Sequence, residues 1–201
     1  MRRVLLTICI FSFVFALSAK RVVVQQKTSE PYMRNMTLNC EYKMQHKNVE
    51  IVNHLKYIEV RKRGEVVASF DPVNIDRNSL YIWVELSPNG KMILFTTSDQ
   101  GTFICNLKGE ILYRLGKGVN ATNWWDNRYL IGMEDKDNGA EFVKSTLVLV
   151  DIKTGNKLPI ATDEHISVYP CGLKPFVEYF TLDNTKHTIK VKIISNKILT
   201  K

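Results

Sequence analysis

The stretch Ser87–Leu112, "SPNGKMILFTTSDQGTFICNLKGEIL", decides the reading of the fold. A Ser-Pro-Asn-Gly turn opens the apolar run Lys91–Thr97. A polar loop leads to Thr102–Leu107, and the turn Lys108-Gly109 leads to Glu110–Leu115. Short runs of Ile, Leu and Phe bounded by Gly, Asn, Ser and Asp read as strands joined by tight turns. The same grammar recurs downstream. Arg128–Glu134, a loop ending in Asn138-Gly139, Lys144–Ile152, the turn "KTGN" and Lys157–Ile160 form a second unit. Pro175–Leu182, the loop "DNTKH", Thr188–Ile194, the turn Ser195-Asn196 and Lys197–Leu199 form a third, and a shorter copy runs through Leu55–Val60, Arg63-Gly64 and Glu65–Phe70.

After the N-terminal apolar run, no stretch holds a 3.6-residue apolar period with helix caps, so the class expected is all-β. Equivalent turns return at intervals of about 40–50 residues, the period of propeller blades built from four strands. An antiparallel blade cannot bury both faces alone, so blades stack side to side. "TFICNL" and "STLVLVDI" are apolar on both strand faces, as sandwiched blades require. In "TIKVKII", Lys190 and Lys192 alternate with Ile189, Val191 and Ile193, which predicts a strand wet on one face. About four units fit into the 201 residues. The fold expected is a β-propeller-like array of about four antiparallel blades, with ring closure left open.

The chain begins with Arg2 and Arg3, an apolar run from Val4 to Leu17, and small residues at Ala16, Ser18 and Ala19. The run is short for a bilayer span, and its flanks are those of a cleavable secretory signal. The division expected is a signal peptide over 1–19, an irregular, polar segment over 20–54, and the repeat domain over 55–201. A cleaved signal places the chain in the periplasm or outside the cell and leaves it without an integral membrane anchor. Cys40, Cys105 and Cys171 remain, widely spaced and without a Cys/His cluster for zinc. A Cys40–Cys171 bridge suits an oxidising compartment, but three buried unpaired thiols are the favoured reading. The formal net charge is +8, and beyond Arg2 and Arg3 the excess sits mainly in "KYIEVRKRGEVV" and "KHTIKVKIISNKILTK", small clusters interleaved with strand-like residues that read as solvated strand faces. Nucleic acid is not an expected partner of an exported chain.

"SPNGKMILFTT…GTFICNLKGEIL" and "STLVLVDIKTGNKLPI" resemble blades of the TolB-like β-propellers, related in pattern to the propellers of prolyl oligopeptidase and dipeptidyl peptidase relatives. In that family a Ser-Pro-Asp-Gly turn opens a strand ending in Phe, and a second strand ends in Asp-Leu before a Thr-Gly turn. Ser87-Pro88-Asn89-Gly90, Leu94-Phe95, Val150-Asp151-Ile152 and Thr154-Gly155 carry the likeness. It extends from Leu55 onward and is specific over Ser87–Ile160. In the next copy, Trp125-Asp126-Asn127 replaces the opening turn, and in "YPCGLKPFVEYF" the turn is gone.

Few residues suggest chemistry. "EDKDNGAE" (Glu134–Glu141) sets carboxylates beside Asn-Gly, but it lacks the spacing of an EF-hand loop and reads as an acidic hairpin tip. His46, His54, His165 and His187 have no mutual metal-ligand spacing. His165 follows two carboxylates without a recognisable nucleophile motif. No metal, cofactor or catalytic residue is expected. The densest aromatic patch is "NWWDNRY", and Trp124, Trp125 and Asp126 are the candidate binding residues. Neighbouring strand residues face opposite ways, so one Trp is expected between blades and the other as an exposed anchor for a partner or a sugar ring. The function expected is an exported, non-enzymatic binding or scaffolding module of a bacterial envelope, with another envelope protein as partner. The alternatives are an accessory propeller acting with a separate peptidase or hydrolase, and a carbohydrate-binding module that takes a glycan.

Overall fold

The computed structural model describes residues 18–31, 43–116, 119–136, 144–164 and 166–197. These form sixteen strands and no helix, arranged as four antiparallel four-stranded sheets. The first sheet runs β2 (Gln45–His46), β3 (Val49–Asn53), β4 (Ile58–Lys62), β5 (Glu65–Phe70). The second runs β6 (Tyr81–Leu86), β7 (Met92–Thr97), β8 (Gly101–Asn106), β9 (Ile111–Gly116). The third runs β10 (Asn120–Trp124), β11 (Tyr129–Lys136), β12 (Lys144–Asp151), β13 (Lys157–Glu164). The fourth runs β14 (Ile166–Leu173), β15 (Phe176–Thr181), β16 (Thr185–Lys197) and, last, β1 (Ser18–Pro31). The protein is thus all-β, a propeller-like arrangement of about four blades.

The blades lie face against face. On β12, Leu147 and Leu149 enter the core shared with the fourth blade, while Val148 and Val150 enter the core shared with the second. On β7 and β8 the same alternation sends Ile93, Phe95, Phe103 and Cys105 toward the first blade and Leu94 and Ile104 toward the third. A strand apolar on both sides is therefore a strand with a blade on each side. The outward face of the fourth blade carries charged and hydroxyl side chains among its residues. Behind Val177 and Ile189 on the fourth blade, Glu178 accepts from Thr188 (3.3 Å) and pairs with Lys186 (3.2 Å). This is the wet face expected from "TIKVKII".

Two turns show how closely the first two blades approach. Gly90 ends the Ser-Pro-Asn-Gly turn at φ 68°, and a Cβ there would lie 2.7 Å from the His46 ring. Gly109, at φ 87°, would place a Cβ 2.6 Å from Phe70. Both positions need positive φ and no side chain.

The expected irregular segment over 20–54 is corrected. β1 pairs with β16 from Ser18↔Lys197 to Pro31↔Thr185, with a bulge between Val24 and Gln26, and β2 and β3 also fall within the segment. The expected turn at Ser195-Asn196 is absent, because β16 runs unbroken to Lys197 and β1 supplies the fourth strand of that blade. Beyond Val22–Val24, β1 is polar because it is an edge strand held by its backbone ladder, and such pairing leaves little side-chain signal. The strand β14 falls in none of the expected units, and β10 meets expectation only at Trp124. Register shifts interrupt both, and Pro170 and Gly172 lie in β14.

Residues 1–17, on which most of the expected signal peptide falls, the expected Asn138-Gly139 hairpin tip, His165 and Cys40 lie outside the described residues. Cys105 is a buried free thiol, whereas Cys171 is disulfide-bonded to a partner outside that set. The favoured reading of three unpaired thiols is corrected accordingly. Among the described residues no helix is long and apolar enough to cross a membrane.

Candidate functional site

Trp124 and Trp125 do face opposite ways, but both are buried, at 4% and 5% exposure. Trp124 packs with Leu130 and Val148 between the second and third blades, and Trp125 packs with Tyr129 and Ile131 between the third and fourth. The expected exposed anchor is corrected: two interfaces flank this strand, and each takes one indole. Asp126 is occupied in the turn. Its Oδ1 accepts from the amides of Arg128 (2.7 Å) and Tyr129 (2.8 Å), and its Oδ2 lies 3.3 Å from Lys174 Nζ.

The inner strands are stitched by buried polar side chains. Asn123 Oδ1 accepts from the Gly172 amide at 3.1 Å, joining the third blade to the fourth. Glu85, on β6, is 3% exposed. Burial pushes its carboxyl up to about 8, against the opposing pull of the Trp124 amide and Lys43.

A cleft of about 730 Å³ opens at the junction of the third and fourth blades, lined by Lys144, Thr162, Asp163, Thr181, Asp183 and His187 among others. Strand register assembles a polar group that borders the cleft through His187 and Thr181. Ser29 of β1 lies opposite His187 of β16, which lies opposite Tyr179 of β15, so the three share one face of the blade. Ser29 Oγ is 2.8 Å from His187 Nδ1, and His187 Nε2 is 3.0 Å from Thr181 Oγ1. Thr181 donates in turn to Asp183 Oδ1 at 2.6 Å. The His187 ring stacks on Tyr179, with centroids 4.8 Å apart and planes 24° apart. The Tyr179 hydroxyl donates to Asp163, which also pairs with Lys27 at 3.4 Å. Desolvation, then the Lys27 charge, holds the His187 pKa below its ordinary value against Asp163 and Asp183.

Sequence reasoning passed over this group. Ser29 and His187 lie 158 positions apart and carry no local motif. The available signal was the loop "DNTKH", whose Asp and His flank a strand start. Among the described residues no three His, Cys, Asp or Glu side chains are arranged to hold a metal ion.

A different surface presents apolar side chains. Leu55 (52% exposed), Tyr57 (39%), Leu80 (38%) and Ile82 (61%) are exposed on two segments, the β3–β4 turn and the start of β6, that a backbone hydrogen bond joins. The Tyr81 amide donates to the Leu55 carbonyl at 2.8 Å, and Lys56 Nζ donates to the carbonyls of Arg77 and Ser79, each at 2.5 Å. Tyr57 stacks on His54 at 4.4 Å.

No protein-family model matches the chain, and no curated protein matches it.

Proposed function

We propose that this chain is an exported module, resembling the TolB-like propellers, that binds or scaffolds another protein of a bacterial envelope without performing turnover. One observation carries the reading: Leu55, Tyr57, Leu80 and Ile82 are exposed on two segments joined by hydrogen bonds. Grouped apolar side chains in water are unfavourable, and a contiguous patch of them marks an interaction surface. The disulfide at Cys171 supports the exported part of the reading, because disulfides persist in oxidising compartments.

The test is recovery of partners from envelope extract on tagged wild-type chain and on the double variant Leu55→Ser/Ile82→Ser. The expected result is one stoichiometric protein retained by the wild type and lost by the variant at unchanged melting temperature. Equal retention by both refutes the role of this surface, and no retained protein at all refutes the binding reading.

A further inference from the structure

The internal repeat supplies a built-in comparison for the row Tyr179–His187–Ser29. In the second blade the equivalent cross-strand row is Phe95–Phe103–Arg114, with Phe95 opposite Phe103 and Phe103 opposite Arg114. There the two Phe rings stack at 5.4 Å, and the Arg114 guanidinium lies 5.3 Å from the centroid of Phe103. Even the strand ends correspond. Thr97 Oγ1 lies 3.4 Å from the carbonyl oxygen four residues on, and Thr181 Oγ1 lies 3.3 Å from that of Thr185. The fold is therefore satisfied at this position by a plain aromatic pair. The fourth blade instead places an imidazole between two hydroxyls.

The proton positions in that group follow from its acceptors. Thr181 Oγ1 lies 2.6 Å from an Asp183 carboxylate oxygen, which only accepts, so the threonine proton points there. Thr181 must then accept from His187 Nε2–H, which leaves Nδ1 bare to accept the Ser29 hydroxyl proton. The order Ser29→His187→Thr181→Asp183 is that of a hydroxyl beside a base whose tautomer is fixed from behind. Ser29 is exposed at the edge of the blade, and His187 lines the cleft.

We infer that Ser29 is an activated nucleophile for acyl groups, with the His187 Nδ1 lone pair as its general base and Thr181 and Asp183 as positioning residues. In the step, Ser29 Oγ bonds to the carbonyl carbon of an ester, the carbon–alkoxide bond breaks, and the alkoxide leaves with the bonding pair. The Ser29 proton passes to His187 Nδ1, and from the imidazolium to the leaving alkoxide. One such transfer joins a ligand covalently to the module and needs no turnover, so it goes beyond the binding role without conflicting with it.

The probe is an alkyl fluorophosphonate, which replaces the ester: the Oγ–P bond forms, the P–F bond breaks and fluoride leaves. Full-length chain is expected to label once, at Ser29 by peptide mass, with Ser29→Ala unlabelled. His187→Phe restores the aromatic pair seen in the second blade, and it is expected to keep the melting temperature while slowing labelling at least tenfold. The labelling rate of the wild type should rise with pH through the titration of His187, below that group's ordinary range. Thr181→Val should move this profile and not merely scale it. Labelling at other residues, labelling unchanged in His187→Phe, or a wild-type rate no greater than that of the urea-unfolded chain overturns the proposal.

Discussion

Asn123 reaches from the inner strand of the third blade to accept a hydrogen bond from the amide of Gly172 in the fourth, at 3.1 Å and out of contact with water. The two residues are 49 positions apart and bind across an interface in which Trp125 and Ile131 are also buried. A Cβ on Gly172 would lie 3.1 Å from Trp125 Cδ1, so the close approach and the hydrogen bond are one arrangement.

Removing the acceptor leaves a buried amide without a partner. Asn123→Ala is expected to cost about 1–3 kcal/mol of unfolding free energy. Asn123→Asp keeps an acceptor oxygen but buries a carboxylate, so its deficit should shrink from neutral to acid pH. Urea denaturation of the three proteins at neutral and acid pH measures both differences, and an alanine variant as stable as the wild type would show that water takes over the Gly172 amide.

Glu85 predicts a fall in stability with rising pH. Its folded pKa is about 8 against an ordinary 4.5, chiefly because burial disfavours the charge. The unfolded chain ionises first, so stability drops as pH rises from about 4.5 to about 8 and levels off above that. Glu85→Gln keeps the shape without the charge. It should match the wild type near pH 4 and exceed it by about 2–4 kcal/mol near pH 9. Melting curves across that range check it, and parallel curves for the two proteins would refute it.

Asp151 predicts the opposite slope at the acid end. Burial alone would raise its carboxyl, but hydrogen bonds from Arg128 (Nη2 at 2.8 Å) and Lys20 (Nζ at 3.0 Å) outweigh burial and bring it to about 2. That stabilisation is present above the ordinary 3.8 and disappears as pH falls toward 2. Because Lys20 belongs to β1, the pair also ties the last strand of the fourth blade to the third. Asp151→Asn should cost about 2 kcal/mol at pH 7 and converge on the wild type near pH 2. Acid titration followed by tryptophan fluorescence tests the convergence.

The repeat was legible because blade packing writes itself into every central strand. Leu147 and Val148 must face different neighbours, so both are apolar, and the turns between strands need Asn, Gly and Asp at set places. The burial of both indoles was half legible. Period-2 geometry correctly sent Trp124 and Trp125 to opposite faces, but local sequence could not say that a blade stands behind each. The Ser29–His187 contact at the cleft's border was not legible, because the two become neighbours only through the pairing of β1 with β16.

What the amino-acid sequence determined by itself was the all-β class, the blade-sized period and the stacking of blades through strands apolar on both sides. These follow from local alternation and turn chemistry, which act within a few residues. The tertiary structure alone decided that the polar segment Ser18–Pro31 closes the fourth blade. A backbone ladder is indifferent to most side chains, and the strand it recruits can come from any distance along the chain.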